Sequence, residues 1–302
     1  MKKRVLLNLA LALSLVVAAS AQAGFMDSLS DAVSVAEKAV SITDSAVKVG
    51  TAAQKASQDI TPEQEYYIGR AVGATILGKY RPVNDKRLNT YVNYVGLAVA
   101  GASDRPDTFG GYHFLVFDSP EINAFACPGG LILVSRGLVG LCQNEDDLAA
   151  VLAHEVGHVQ YQHGLGAIGQ SRIIDLLRVT GAEGFKQFGS GQVAQMETIF
   201  AGSIGDVVET MAETGYSKGQ EKEADLAAVA ILGRVGYDPQ GLARVLQAMK
   251  NARGAGEEGF FKTHPDPDER LESIAEALAQ APPVSVPPAR VQRFQTVTAA
   301  IR

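Results

Sequence analysis

The sequence has little of three features, each of which would point to a class of protein. Its 302 residues include two cysteines, too few for a disulfide-rich scaffold. No block of positive charge occurs and the net charge is −6 at pH 7, which argues against a nucleic-acid partner. Beyond the N-terminus, no apolar run approaches the roughly 20 residues of a transmembrane helix. Length and hydrophobic content indicate one large globular domain or two small ones.

The first 23 residues have the pattern of a secretory signal peptide. Basic residues at 2–4 precede an apolar stretch, Val5 to Val17, that is too short for a membrane anchor, and Ala21-Gln22-Ala23 offers a cleavage site. Cleavage after Ala23 would change the net charge from −6 to −9, and no cysteine follows to carry a lipid. We therefore expect a bacterial periplasmic protein. In that compartment Cys127 and Cys142 could form a disulfide, although two partly buried thiols are preferred.

Composition divides the rest of the chain into three parts. Residues 24–59 are rich in Ala, Ser and Val and predict a weakly amphipathic helical leader, with a flexible leader as the alternative. Residues 60–280 predict the main domain, in which 164–215 is Gly-rich with amphipathic helical pieces such as Ile173 to Leu177. The tail, 281–302, is Pro-rich and is expected to be extended.

The main domain is predicted to be α+β and mainly helical, with a small sheet lying over a central helix. A strand is expected from Tyr112 to Asp118, and Asn123 to Cys127 with Leu131 to Ser135 predicts a hairpin around a Pro-Gly-Gly turn. Periodic apolar residues and N-terminal signals predict the helices, which run over about 62–80, from 85 past 95, from 145 past 158, over 220–232 and over 239–249.

The stretch His154-Glu155-Val156-Gly157-His158 is the strongest functional signal. It has the form H-E-x-x-H and follows the apolar run Leu148 to Ala153, with Asn144 as a plausible N-cap. Two histidines four residues apart share a helix face and can bind one zinc, while Glu155 can act as the base for an attacking water. The alternative, two surface histidines on an ordinary helix, is disfavoured by the apolar neighbours.

A catalytic zinc site needs a third protein ligand. The short-spaced third histidine of metzincins is absent after His158. His163, about 140° round the helix, is expected to face away, as a packing or surface residue. Glu221 and Asp225 share a helix face, so Glu221 is expected to bind zinc and Asp225 to accept a hydrogen bond from a ligand histidine. The intervening Glu223 is expected to point elsewhere.

Four blocks of sequence within about 60–280 together identify a protein family more specifically than the histidine motif does alone. They are Asn123-Ala124-Phe125-Ala126 with Pro128-Gly129-Gly130, Leu148 to His158, Tyr216-Ser217 with Glu221-x-x-x-Asp225, and His264-Pro265 with Arg270. The chain thereby resembles the HtpX/BepA-like family of gluzincin zinc metallopeptidases, which also contains the CAAX prenyl endopeptidases. Two departures, Lys218 where Arg is common and Cys127 where an aliphatic residue is usual, leave the metal ligands intact.

The resemblance implies a zincin-like metallopeptidase domain with one Zn²⁺ per chain, bound by His154, His158 and Glu221, with Glu155 as general base. It also implies that His264 and Arg270 lie beside the metal, where either could donate to the oxyanion of the reaction. Two other interpretations of His264 stay open. It could be a loop or N-cap histidine, or it could occupy the open zinc position at rest.

The strand from Asn123 to Ala126 is expected to form a sheet edge above the cleft. There Asn123, Ala124 and Phe125 could bind an extended peptide through main-chain hydrogen bonds, and an ordinary hairpin is the equal alternative.

With the signal pattern, we expect a periplasmic endopeptidase that could be peripheral to the outer membrane. The resemblance implies that it acts in quality control of envelope and outer-membrane proteins. Its substrates would be unfolded or misfolded envelope proteins, and its partner the outer-membrane assembly machinery. The alternative is a chaperone-like assembly factor with minor proteolysis, gated by the Gly-rich segment. A non-peptide zinc hydrolase is a weaker alternative.

Overall fold

Helices surround one three-stranded sheet in the computed structural model, which describes residues 60–168, 204–252, 264 and 266–301. The predicted signal peptide, the helical leader and most of the Gly-rich segment, including Ile173 to Leu177, lie outside the described residues. The helices are α1 (Pro62–Lys79), α2 (Lys86–Gly101), α3 (Arg136–Leu141), α4 (Glu145–Gln160), α5 (His163–Gly166), α6 (Lys218–Val235), α7 (Gln240–Ala252), α8 (Pro267–Gln280) and α9 (Pro288–Thr298). Among them, none combines the length and the apolar character needed to span a bilayer.

The sheet contains β1 (His113–Phe117), β2 (Ala124–Cys127) and β3 (Leu131–Ser135) in the order β1-β3-β2. β1 runs parallel to β3, and β2 pairs with β3 in the predicted antiparallel hairpin. A 3₁₀ turn, Pro128–Gly130, joins β2 and β3, and β2 and β3 both contact α4. The predicted fold class, mainly helical α+β with a small sheet over the central helix, is confirmed.

The central helix α4 has a clear physical origin. The Asn144 side chain accepts a hydrogen bond from the backbone N–H of Asp147 at 3.0 Å, and three acidic residues fill the first turn, where the helix dipole favours negative charge. Every residue of α4 except its last, Gln160, is buried, because α2, α6, α7 and the sheet surround it. The histidine motif therefore lies on a helix that is packed on all sides, which suits a site whose side chains must be held in place.

The spacing of α4 and α6 is set at Gly157, between the two halves of the motif. A Cβ atom added to Gly157 would lie 2.9 Å from the carbonyl oxygen of Ala224 and 3.0 Å from its Cα, so a larger residue would push α6 away. Ala224 lies between Glu221 and Asp225 on α6. The close approach therefore brings the acidic residues of α6 within reach of the histidines of α4.

The expectation of an extended tail is wrong for residues 288–298, which form α9. A proline at the first turn of a helix is compatible with helical backbone, since its missing N–H would be unpaired there in any case. The buried Phe294 anchors α9 in the core. Arg293 Nε donates to Glu145 Oε2 at 2.6 Å, and Arg290 binds Asp146 at 2.9 Å, so the helix is tied to the start of α4.

Cys127 and Cys142 are both buried thiols, as preferred from the sequence. Burial raises the pKa of Cys127 to about 12, and the nearby Glu155 carboxylate adds to the effect. The Cys142 thiol donates to the carbonyl of Leu138 at 3.3 Å. Both cysteines are therefore packing residues.

Replacement of Arg293 by alanine should destabilise the fold by about 1–3 kcal/mol, because buried Glu145 loses its charged donor. Burial alone would raise the pKa of Glu145, but hydrogen bonds from Arg293 and Tyr91 outweigh it and hold the pKa below its ordinary value. Since the folded-state pKa is the lower one, this stabilisation is present at neutral pH and is lost as the pH falls through the folded-state pKa.

Urea unfolding at pH 7 and at acidic pH measures both the loss of stability on replacement of Arg293 and its dependence on pH. The matched control is Arg136→Ala, which removes the exposed pair of Arg136 with Asp118 and should cost less than about 1 kcal/mol. Equal losses for the two variants would contradict the role given to Arg293.

Candidate metal centre

His154 and His158 face one another across a single turn of α4. Their Nε2 atoms lie 3.1 Å apart, and both side chains are buried. Glu221, from the first turn of α6, lies opposite, with Oε2 3.6 Å from His154 Nε2 and Oε1 3.4 Å from His158 Nε2. With His264, these residues offer four ligand atoms that all lie within 4.8 Å of one another.

The arrangement fits a zinc ion. Two ligand atoms bound to zinc at tetrahedral angles lie about 3.3 Å apart, given Zn–N bonds of about 2.0–2.1 Å, and the observed separations are close to that value. Glu221 Oε2 is buried and has no hydrogen-bond partner among the described residues. Two histidines and one glutamate are also a donor set typical of catalytic zinc, so these three residues could hold the metal.

Asp225 and Arg270 support the His154 side of the site. Asp225 Oδ1 lies 2.9 Å from His154 Nδ1, where it can accept a hydrogen bond. Arg270 donates to both Asp225 oxygens, at 2.6 and 2.9 Å, and its Nη1 lies 3.5 Å from Glu221 Oε2. Arg270 thus lies against the carboxylates, where it neutralises the buried charge of Asp225 and aligns it with His154.

The electrostatics favour the protonation states that a metal requires. Burial alone would raise the pKa of Glu221, but the neighbouring His264 and Arg270 outweigh it and hold that pKa well below its ordinary value. Burial and then Arg270 lower the pKa of His154, which keeps its ring neutral. The pKa of Asp225 is also held low, because the Arg270 charge outweighs the effect of burial.

The expectation that His163 faces away from the site is wrong. His163 is buried, and its Nδ1 lies 2.9 Å from Nδ1 of His158, while its Nε2 lies 3.1 Å from Oε2 of Glu223. The rotation of 100° per residue does not extend beyond the end of α4, because Gln162 adopts left-handed backbone (φ 56°) and redirects the chain. Glu223, expected to point elsewhere, points away from the ligand atoms but contacts His163.

Glu155 lies at a small cleft beside the ligand atoms. Glu155 is buried, and its Oε1 has no hydrogen-bond partner within the described part of the chain. The other residues that line the cleft come from β2, the π-helical segment Thr210–Thr214 and two loops: Ala124, Phe125, Ala126, Met211, Tyr216 and His264. The predicted base therefore adjoins both the ligand atoms and the edge strand.

Two of the three residues expected to bind substrate, Ala124 and Phe125, line this cleft. Asn123 does not: its N–H donates to Ser135 Oγ at 3.0 Å, and its carbonyl accepts from the Ser135 N–H at 2.9 Å. Its main chain is already paired within the hairpin. The predicted edge position of β2 is seen in the sheet order, in which β3 is its neighbour.

Tyr216 is a site residue to which the sequence assigned no role. Its ring stacks on His158, with centroids 4.3 Å apart, and its hydroxyl is buried without a hydrogen-bond partner among described residues. Burial, with Glu155 nearby, raises the pKa of Tyr216 well above its ordinary value. The hydroxyl therefore stays protonated and can donate to an oxygen atom in the cleft. The sequence signal for a site role was that Tyr216 lies in one of the four family blocks.

Replacement of Glu221 by glutamine should weaken zinc binding by more than about 100-fold, because it replaces a charged ligand with a neutral amide, whereas loss of an outer hydrogen-bond partner costs about 10- to 100-fold. Competition with a chromophoric zinc chelator measures the affinity. Glu276→Gln, at an exposed position of α8, is the matched control and should bind zinc as the unchanged protein does. Similar affinities for the two variants would contradict a ligand role for Glu221.

Comparison with known proteins agrees with this geometry. The sequence profile of Peptidase family M48 matches residues 86–278, which include the motif on α4, Glu221 on α6 and the segment from His264 to Arg270. The "Beta-barrel assembly-enhancing protease" of Escherichia coli (strain K12) is 26% identical over 257 residues, which is 84% of this chain and 52% of that protein. This chain therefore spans about half the length of that relative.

Two shorter relatives carry names that state the activity. "Metalloprotease YcaL" of E. coli (strain K12) is 28% identical over 171 residues, 55% of this chain and 62% of that protein. "Metalloprotease LoiP" of the same organism is 27% identical over 194 residues, 64% of this chain and 70% of that protein. Since the family profile covers well over half of the sequence, the chain belongs to Peptidase family M48.

Proposed function

We propose that this chain is a periplasmic endopeptidase in which His154, His158 and Glu221 hold one zinc ion and Glu155 is the general base. One observation carries the proposal. A buried carboxylate oxygen of Glu155, without a hydrogen-bond partner among the described residues, faces a cleft that has the candidate ligands on one side and the edge strand β2 on the other. A peptide in that cleft would have its carbonyl carbon next to both the base and the ligand set.

The chemistry follows from the positions of the side chains. When bound, zinc would lower the pKa of a water molecule toward 7 and polarise the carbonyl of the peptide bond. Glu155 would accept a proton from the attacking water and pass it to the departing amine. Arg270 would keep Asp225 aligned with His154, since it donates to both Asp225 oxygens. Burial of these groups excludes bulk water, which strengthens each interaction.

The edge strand suits a substrate without a fixed sequence. β2 pairs with β3 on one side, and Ala124 and Phe125 line the cleft on the other. An extended peptide could add to this edge through main-chain hydrogen bonds, which do not depend on side-chain identity. This favours unfolded or misfolded envelope proteins as substrates.

The setting of the activity is part of the proposal. The N-terminal signal pattern supports export to the periplasm, and the relatives named as enhancing β-barrel assembly support a role in outer-membrane protein quality control. The outer-membrane assembly machinery would be the partner, with the protein peripheral to that membrane. In this organisation, 1–23 is a signal peptide, 24–59 a helical leader, 60–280 the metallopeptidase domain and 281–302 a tail.

A second candidate function is client holding with gated proteolysis. It is favoured by His264, which lines the cleft and lies with Nδ1 2.8 Å from Glu221 Oε1. From there it would fill the fourth position at the metal in a resting state. Cleavage would then need His264 to move.

The purified, zinc-loaded protein should cleave casein, an unfolded protein. Glu155→Gln should reduce the rate at least about 100-fold, since a positioned general base contributes about 10²- to 10⁴-fold. Chelation should abolish cleavage and added zinc should restore it. Fragment formation on gels measures the rate, and the exposed-site variant Glu276→Gln is the control.

The outcomes separate the two functions. If Glu155→Gln cuts as fast as the control, the general base has been wrongly assigned. If the zinc-loaded protein cuts nothing but suppresses aggregation of an unfolded outer-membrane protein, client holding is the function.

Replacement of His264 by alanine should raise the rate of casein cleavage. A rise of about tenfold corresponds to a resting form in which His264 occupies the position nine times in ten. The control is His113→Ala, which removes an exposed histidine of β1. Loss of activity in His264→Ala, with His113→Ala unchanged, would contradict the resting-state role and indicate that His264 supports the oxyanion.

A further inference from the structure

We infer that Glu223 and His163 form a two-step hydrogen-bond relay that holds His158 in the tautomer of a metal ligand, an inference that rests on the proposed metal site. The relay runs from Glu223 on the surface of α6, through His163 at the start of α5, to His158 inside α4. Glu223 and His163 are therefore positioning residues, which would act on the metal through His158.

For neutral imidazoles, the distances admit one self-consistent arrangement of protons. Nδ1 of His158 and Nδ1 of His163 lie 2.9 Å apart, so one must donate and the other accept. A carboxylate is an acceptor only, so Glu223 Oε2, at 3.1 Å, requires a proton on His163 Nε2. With that proton placed, neutral His163 has a bare Nδ1. His158 then donates from its Nδ1, which leaves its Nε2 lone pair directed at Glu221 and His154.

The same logic operates directly on the other histidine. Asp225 Oδ1 lies 2.9 Å from His154 Nδ1, so His154 donates there and its Nε2 is also a bare lone pair. Both candidate histidine ligands of α4 are therefore oriented by carboxylates of α6. Asp225 contacts His154 directly, and Glu223 acts on His158 through the imidazole of His163. The two lone pairs then face each other at 3.1 Å, an arrangement that a cation between them would stabilise.

Packing keeps the relay in place. His163 is buried and its ring lies within 5.6 Å of Tyr161 in a stacked arrangement, while Tyr216 covers His158 from another side. The ring of His163 therefore has little freedom to turn away from His158. Glu223 is the exposed end of the relay, with 60% of its side chain accessible, so water can partly replace it.

The test uses the full chain and its zinc affinity, measured by competition with a chromophoric chelator. His163→Phe keeps a ring but removes the acceptor, and should weaken zinc binding about 10- to 100-fold. Glu223→Ala should weaken it less, and Glu223→Gln, whose amide oxygen can accept the same hydrogen bond, should recover most of the loss. Glu276→Ala is the matched control for an exposed helical glutamate and should change nothing.

A spectroscopic readout separates the relay from a purely structural role. Long-range ¹H–¹⁵N correlation spectra of the zinc-loaded protein should show His163 with its proton on Nε2 and a bare Nδ1. A proton on His163 Nδ1, or Glu223→Ala and Glu276→Ala with equal zinc affinities, would overturn the inference. Because zinc affinity is measured without substrate, these results stand apart from the casein assay, whose failure would bear on the proposed function alone.

Discussion

The packing of α4 against α6 is the constraint on which the rest of the site depends. Neither helix alone carries a complete ligand set, since α4 supplies the two histidines and α6 supplies Glu221. Gly157 lets the backbones approach until Ala224 touches α4, and this fixes the distance between imidazoles and carboxylates. Because a zinc site tolerates deviations of only a few tenths of an ångström, helix spacing, and not the motif by itself, determines whether metal can bind.

Compensation of buried charge is the second organising feature. The first turn of α4 buries three carboxylates, whose partners are arginines from α7 and α9. At the opposite end of the helix, Asp225 and Glu221 are compensated by Arg270 and by the histidines. A buried carboxylate without such a partner would be protonated or would destabilise the fold, so the arginines maintain the charges that both ends of α4 need.

The sequence was sufficient where the information is local. Asn144 as an N-cap, the hairpin around Pro128–Gly130 and the shared face of His154 and His158 all follow from spacing within one turn or one element. The positions that sequence reasoning got wrong depend on tertiary context. His163 lies beyond a left-handed residue that no period predicts, and the proline-rich tail becomes helical because Phe294 finds a place in the core. The contact of Glu223 with His163 likewise joins residues 60 positions apart.

The attachment of α9 to α4 has a consequence for biogenesis. Glu145 meets its partner Arg293 only after 148 further residues have been added, so this carboxylate lacks its charged partner during most of the synthesis of the chain. Sequence-distant pairings form late in folding. A nascent chain that ends after α6 thus contains every candidate ligand on α4 and α6. It still lacks Arg290 and Arg293, which tie α9 to the start of α4. The first turn of the histidine helix therefore gains its full set of charged partners only when α9 has been added.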